Sequence, residues 1–223
     1  KMRILAIADR IEDKLYGHYV PSTAEGIDLI IACGDLPASY LEFLATVINK
    51  PLYYVHGNHD QAYELNPPEG CISLEDQVIK VGNLRLAGLG GSMRYRKGPY
   101  QYTEQEMARR VHRLEKAIDH AGGLDILVTH APLYGFGDLP DQAHQGFSCL
   151  KVLASAYRPQ YILHGHVHPE YTLGFTRRTL YEPGVTIVNC AGSVYLEAAH
   201  SNDESGNMSK KKTSFRLPFC RKG

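Results

Sequence analysis

Residues 52–60 read Leu52-Tyr53-Tyr54-Val55-His56-Gly57-Asn58-His59-Asp60. The first four are apolar, aromatic or β-branched, as in a buried strand, and the run stops at a glycine followed by three polar side chains that can each bind a metal or move a proton. Taken alone, Gly-Asn-His-Asp reads as an ordinary turn, because Gly, Asn and Asp all favour one. The segments on either side change that reading.

Upstream, residues 4–8 form a short apolar run that ends at Asp9, and residues 27–33 form a second that ends at Gly34-Asp35. Both read as buried strands. Residues 14–24 are polar and Tyr-containing, with Pro21-Ser22-Thr23 able to begin a short helix. Residues 39–49 place Tyr40, Leu41, Leu44, Val47 and Ile48 at three- and four-residue spacing, which predicts an amphipathic helix stopped by Asn49 and Pro51. The order is strand, helical connection, strand, helix, strand. Such βαβ units build a largely parallel sheet by right-handed crossovers. Asp9, Asp35 and Asn58-His59-Asp60 then all follow carboxyl ends of strands, on the one edge where open α/β sheets bind ligands.

Downstream, Pro67-Pro68 and Gly70 mark a loop over that edge. Residues 78–81 and 84–89, split by Gly82-Asn83, predict a hairpin. Gly88-Leu89-Gly90-Gly91-Ser92 lacks the spacing of a dinucleotide fingerprint and reads as a tight turn. The basic and aromatic stretch 93–102 contains Arg94 and Arg96, candidates for contact with a substrate phosphate. Thr103 with Glu106 three residues later is a capping box that opens a helix with Met107, Val111, Leu114 and Ile118 on one face; Gly122-Gly123 ends it. A strand over 125–129 closes on His130. The loop 131–145 holds Asp138, Asp141 and His144, and a helix over 147–157 follows. The strand 161–163 leads into His164-Gly165-His166-Val167-His168. The alternation Tyr171, Leu173, Phe175 and the runs 186–188 and 194–196 predict closing strands of a second sheet.

The bulk composition narrows the function. The 223 residues fit one large α/β domain over 2–199 with a basic tail over 200–223. Lysine plus arginine and aspartate plus glutamate both number 24, so nothing global steers the chain to nucleic acid or an anionic membrane. Cys33, Cys71, Cys149, Cys190 and Cys220 are odd in number and lack CxxC spacing. Reduced core thiols and a cytoplasmic location are expected. No apolar run reaches the ~18 residues of a spanning helix, and no signal-peptide core follows Lys1-Met2-Arg3, so no membrane partner is expected.

Collected, the strand ends offer Asp9, Asp35, Asn58, His59, His130, His166 and His168. Carboxylate, amide and imidazole together suit Mn, Fe or Zn better than Ca. His166 and His168, one residue apart, point the same way if extended. Two divalent ions can share such a site, bridged by a carboxylate such as Asp35 at ~3.5–4 Å, and a bridging hydroxide so held attacks phosphorus in line. The chemistry is phosphoester hydrolysis on a small phosphorylated substrate.

In this order the blocks resemble those of the calcineurin-like metallophosphoesterases, DxH, GD, GNH(D/E), H and GHxH. Here they are Asp9-Arg10-Ile11, Gly34-Asp35, Gly57-Asn58-His59-Asp60, His130 and Gly165-His166-Val167-His168. The resemblance spans residues 2–199 and implies an α/β fold: a two-sheet β-sandwich flanked by helices, with a dinuclear site at the strand ends. It also implies roles. Asp35 bridges two ions, Asn58, His130 and His166 complete one site, and Asp9 and His168 serve the other. His59 stabilises charge or protonates the leaving oxygen, with Asp60 orienting its ring.

One block departs from the pattern. Ile11 stands where the family has a histidine, and its side chain has no lone pair. The Asp9-side site is expected to be weaker, with Glu12, Asp13 or water in the missing position, Asp13 being preferred because it can fold back in a first turn. The loss also motivates a second reading, a binding or scaffold protein that keeps the fold, as the phosphoesterase-like subunit of retromer does. A nuclease is disfavoured by the neutral charge. Oligomeric state has no signature in the sequence.

Overall fold

The computed structural model describes residues 1–171 and 173–199. The boundary expected near residue 200, the basic tail and Cys220 lie outside the described residues.

The first three strands of the first sheet form where the apolar runs predict, and a fourth, which no run marks, extends them. Strands β1 (Met2–Ala8), β2 (Leu29–Ala32), β3 (Leu52–Tyr54) and β4 (Ile72–Ser73) are neighbours in that order and run parallel. Two short 3₁₀ turns, Asp13–Leu15 and Pro21–Ala24, join β1 to β2. Helix α1 (Ala38–Ile48) joins β2 to β3 and ends at Asn49, whose φ of 53° is the left-handed conformation that asparagine tolerates.

The expected hairpin is present. Strands β5 (Val78–Val81) and β6 (Leu84–Leu89) pair antiparallel, with Val81 opposite Leu84 across Gly82-Asn83. Strands β7 (Ser92–Met93) and β8 (Gln101–Tyr102) form a small separate pair. Helix α2 (Glu104–Ala121) opens on the predicted capping box: Glu106 N–H donates to Thr103 Oγ1 at 3.2 Å, and Thr103 N–H donates to Glu106 Oε2 at 2.7 Å. It stops at Gly122, with φ of 79°. Strand β9 (Ile126–Thr129), helix α3 (Ser148–Tyr157) and strand β10 (Tyr161–His164) follow.

Strands β11 (Arg178–Glu182), β12 (Val185–Asn189) and β13 (Gly192–Ala198) complete the chain. Two expectations change here. The alternation at Tyr171, Leu173 and Phe175 is not a strand: Pro169–Tyr171 is a 3₁₀ turn and Leu173 is fully exposed. Pro169 and Gly174 break a period-two pattern that the side chains alone would support. The strand that does close this region is β11, an edge strand with exposed Leu180. The last two runs also divide between sheets. β12 joins the second sheet, of order β11-β12-β10-β9-β6-β5, whereas β13 returns to pair antiparallel with the whole of β1 in the first.

The two sheets pack face to face. Ile4, Ala6, Leu29, Ile31 and Val55 of one meet Leu86, Ile126, Val128, Leu163 and Val188 of the other. Alternate residues point outward, so Leu5, Ile7, Ile30 and Leu52 pack under α1, while Ala87, Leu127 and Ile162 pack under α2 and α3. The layers are helix, sheet, sheet, helix. Cys33, Cys149 and Cys190 are buried free thiols and Cys71 is half-buried. Among the described residues no helix is long and apolar enough to cross a membrane.

Candidate metal centre

Asp9 follows β1, Asp35 follows β2, Asn58 to Asp60 follow β3, His130 follows β9, and His166 and His168 follow β10. Five chain segments therefore meet at one edge of the sandwich. Asp9, Asp35 and His166 each have positive φ (63°, 56° and 71°). Left-handed backbone at three candidate ligands is the kind of local strain that functional sites hold in place by surrounding structure.

Two glycines set how closely the segments approach. A Cβ at Gly34 would overlap the backbone of Gly57, and a Cβ at Gly57 would overlap the Asp35 carboxylate. The loops after β2 and β3 touch because neither glycine has a side chain.

His130 is fully buried. Its Nδ1 lies 2.8 Å from Cys33 O, a carbonyl that only accepts, so Nδ1 carries a proton and donates it. Nε2 then faces Asn58 Oδ1 at 3.1 Å and Asp35 Oδ2 at 3.3 Å. Three acceptor atoms converge with no donor between them, a place for a cation. In the metal-free protein that cation is a proton: burial alone would depress the His130 imidazole, but the Asp35 carboxylate outweighs it and holds its pKa at about 10. Burial acts the opposite way on Asp35, and the His130 imidazole holds it below the usual carboxylate range.

His166 completes the cluster. One ligand atom each from Asp35, His130 and His166 lie within 4.8 Å of one another. The His166 Nε2–H donates to Ala143 O at 2.7 Å, leaving the lone pair on Nδ1. Backbone carbonyls thus fix the tautomers of both His130 and His166, the usual arrangement around ligating imidazoles. Burial, reinforced by the His130 charge, pushes the His166 pKa down to about 3, so this ring is neutral and able to ligate. Oxygen and imidazole donors in this set fit a divalent ion.

The second group is Asp9 with His168, whose Nε2 stands 3.8 Å from Asp9 Oδ1. Both Asp9 oxygens accept the His166 backbone N–H, at 2.9 and 3.0 Å. Burial, partly offset by His130, raises the Asp9 pKa to about 7. His168 stacks on Tyr171 with centroids 4.8 Å apart. Neither expected substitute for the Ile11 ligand reaches this group. Asp13 pairs with His18 at 2.8 Å on the exposed side of its turn, and Glu12 lies against Gly192 and Lys14. Ile11 itself is 45 % exposed.

Asp60 differs from expectation as well. Its Oδ2 accepts N–H bonds from Asp35 at 2.8 Å and Gly57 at 2.7 Å, and among the described residues no hydrogen bond joins it to the His59 ring. It fastens one loop to the other. The His59 backbone N–H donates to Asp35 Oδ1 at 2.8 Å while its side chain stands exposed at the mouth of the site.

Asp9, Asp35, Asn58, His59, His166 and His168 line a cleft of about 510 Å³, walled also by Tyr95, His144 and Tyr171. A smaller cleft of about 240 Å³ shares Asn58 and His59 and adds Arg96 and Lys97. Of the two arginine candidates only Arg96 is there. Arg94 instead pairs with Glu106 at 2.8 Å and bonds Gln101 O at 3.1 Å, at the start of α2. Tyr95, His144 and Tyr171 carry no motif that marks them in the sequence as cleft residues. The only signal for His144 was Asp141 three residues before it, in the loop after His130.

The chain is similar to known proteins. It is 30% identical over 156 residues to the 3',5'-cyclic adenosine monophosphate phosphodiesterase CpdA of Pseudomonas aeruginosa, covering 65% of this chain and 56% of that protein. It is 26% identical over 181 residues to human metallophosphoesterase domain-containing protein 1, covering 76% of this chain and 53% of that one. The chain thus spans about half the length of these curated relatives. The protein TT1561 of Thermus thermophilus shares the fold, with a TM-score of 0.59 at 18% identity over 86% of this chain and 89% of that one. The model of the calcineurin-like phosphoesterase superfamily domain matches residues 2–205, and the chain belongs to that family.

Proposed function

We propose that this chain is a metal-dependent phosphoesterase that hydrolyses a phosphodiester or a small phosphorylated metabolite in the 510 Å³ cleft. The observation that carries the reading is the convergence of His130 Nε2, Asn58 Oδ1 and Asp35 Oδ2 on one cation position. The family consists of hydrolytic phosphoesterases that bind divalent metals, and the Pseudomonas relative is named as a cyclic-nucleotide phosphodiesterase.

Bound divalent ions, Mn, Fe or Zn, would neutralise phosphoryl charge and lower the pKa of a ligating water. Asp35, Asn58, His130 and His166 would hold one ion, and Asp9 and His168 with Asp35 the other, more weakly. The chain's own groups do the rest. His59, at the junction of both clefts, is placed to donate a proton to the leaving oxygen. Arg96 in the smaller cleft orients the anionic part of the substrate. Asp60 keeps Asp35 and Asn58 in register through the backbone. The buried free thiols agree with a cytoplasmic location.

The scaffold reading draws on one observation, the apolar Ile11 in the ligand block. The test is Mn²⁺-loaded protein on a nitrophenyl phosphomonoester and a bis-nitrophenyl diester, beside His59→Ala and Asn58→Ala. Turnover of either ester that falls at least about 100-fold in both variants supports the proposal. Inactivity of the wild type on both esters with each metal favours the scaffold, and unchanged turnover in His59→Ala removes its role.

A further inference from the structure

With Ile11 silent and Glu12 and Asp13 turned elsewhere, the Asp9/His168 group lacks a second imidazole. The cleft contains one that no family block accounts for. His144 lies in the loop between β9 and α3 and lines the same cleft as Asp9, His166 and His168. Its ring centroid is 5.1 Å from that of His166 and 5.0 Å from that of Tyr171, the ring on which His168 stacks.

The ring is also held as a ligand would be. Both Asp141 oxygens lie within hydrogen-bond distance of Nδ1, at 2.9 and 3.0 Å, so Nδ1 donates and Nε2 keeps the lone pair. The same tethering operates at His130 through Cys33 O and at His166 through Ala143 O. The loop is a built one. Asp138 accepts the N–H groups of Gly135 and Gly146 at 2.9 and 3.1 Å, His144 N–H donates to Asp141 O at 3.2 Å, and Gln142 Nε2 donates to Arg94 O at 2.9 Å. Ala143, next to His144, is itself anchored by the His166 ring.

We infer that His144, oriented by Asp141, supplies the metal-ligating imidazole that Ile11 cannot, on the Asp9/His168 side of the centre. This rests on the metal-centre reading above. The ligand then arrives from a loop after β9 rather than from the loop after β1, which keeps the Asp9-side site the weaker of two while making it a real one.

The test measures metal rather than turnover. Metal-stripped wild type, His144→Ala, Asp141→Asn and His144→Ala with Ile11→His are titrated with Mn²⁺ by calorimetry, and bound metal is counted after desalting. Wild type is expected to take up two ions per chain with unequal affinity. His144→Ala should keep the tight site and weaken the second at least about tenfold, Asp141→Asn should weaken the same site by about tenfold through loss of the carboxylate charge behind Nδ1, and Ile11→His should restore it. Unchanged thermal unfolding of the metal-free variants shows that the loop substitution left the fold intact. Two ions bound by both single variants with wild-type affinities would overturn the His144 assignment alone. A wild type that binds no divalent ion would overturn it together with the metal-centre reading, and the two results are distinct.

Discussion

The Asp60 carboxylate accepts the backbone N–H of Asp35 at 2.8 Å and that of Gly57 at 2.7 Å with the same oxygen. One side chain thereby locks the loop after β2 to the loop after β3. Burial raises its pKa, and the Gly57 N–H works against that rise.

Removing that lock leaves two N–H groups without an acceptor at the sheet edge. Asp60→Ala is expected to cost about 2–6 kcal/mol of stability, at about 1–3 kcal/mol for each of the two orphaned donors. It should also weaken binding of the first metal ion by about 10–100-fold, as loss of a supporting contact does. Denaturant unfolding and metal titration check the two effects separately, and Asp60→Asn, which keeps an acceptor oxygen, should fall between.

The two arginines of the 93–102 stretch should behave differently. Arg96 faces the smaller cleft, so Arg96→Ala is expected to raise KM about tenfold at low salt, the equivalent of one charge-assisted hydrogen bond. The effect should shrink at higher ionic strength, because Arg96 is at the surface. Arg94 is committed to Glu106 and Gln101, so Arg94→Ala should leave KM unchanged and lower only the thermal midpoint. Steady-state kinetics of both variants at two salt concentrations decide it.

Behind the site, Glu75 is gripped from three sides. It accepts from the His56 backbone N–H at 2.7 Å, pairs with Arg110 at 2.5 Å and accepts from Gly90 N–H at 3.1 Å. Burial would raise its pKa, but the hydrogen bond with the His56 ring, 3.1 Å away, and the Arg110 charge together hold it below the usual value of 4.5. A depressed carboxylate stabilises the fold above its unfolded pKa, and that stability is lost as pH falls below about 4.5 through the folded pKa. Glu75→Gln should therefore lose about 3 kcal/mol at pH 7, since the buried Arg110 loses its closer carboxylate and keeps only the more exposed Asp76 to offset its charge. It should also show a shallower decline of stability below pH 4.5 than wild type. Unfolding midpoints across pH 3–7 measure both.

The strand ends were legible because a parallel sheet turns sequence order into spatial order. Asp9, Asp35, Asn58 and His130 each terminate an apolar run, and such runs meet at one edge. The Thr103 and Glu106 capping box and the Gly82-Asn83 turn were legible because both are local. What failed depended on contacts across long separations. Asp60 sits beside His59 in sequence but bonds to Asp35, 25 residues earlier. Arg94 looked free in a basic loop until Glu106 came to it. Tyr171 shares the period of a strand yet stacks on His168 in the cleft. His144 is close in sequence only to Asp141, and its place beside His166 follows from where the loop after β9 crosses the edge.

In the proposed reaction Asp35, at the middle of the cluster, holds the metal on which phosphoester hydrolysis depends. The most direct measurement is a Mn²⁺ titration of metal-stripped wild type and Asp35→Asn, following bound metal and bis-nitrophenyl phosphate turnover in the same samples. The stripped protein should show no turnover, the wild-type rate should rise with occupancy, and Asp35→Asn should lose affinity and rate by more than about 100-fold, beyond what loss of a supporting contact causes. Turnover that survives metal stripping, or an Asp35→Asn protein that binds and hydrolyses like wild type, would contradict the proposed reaction.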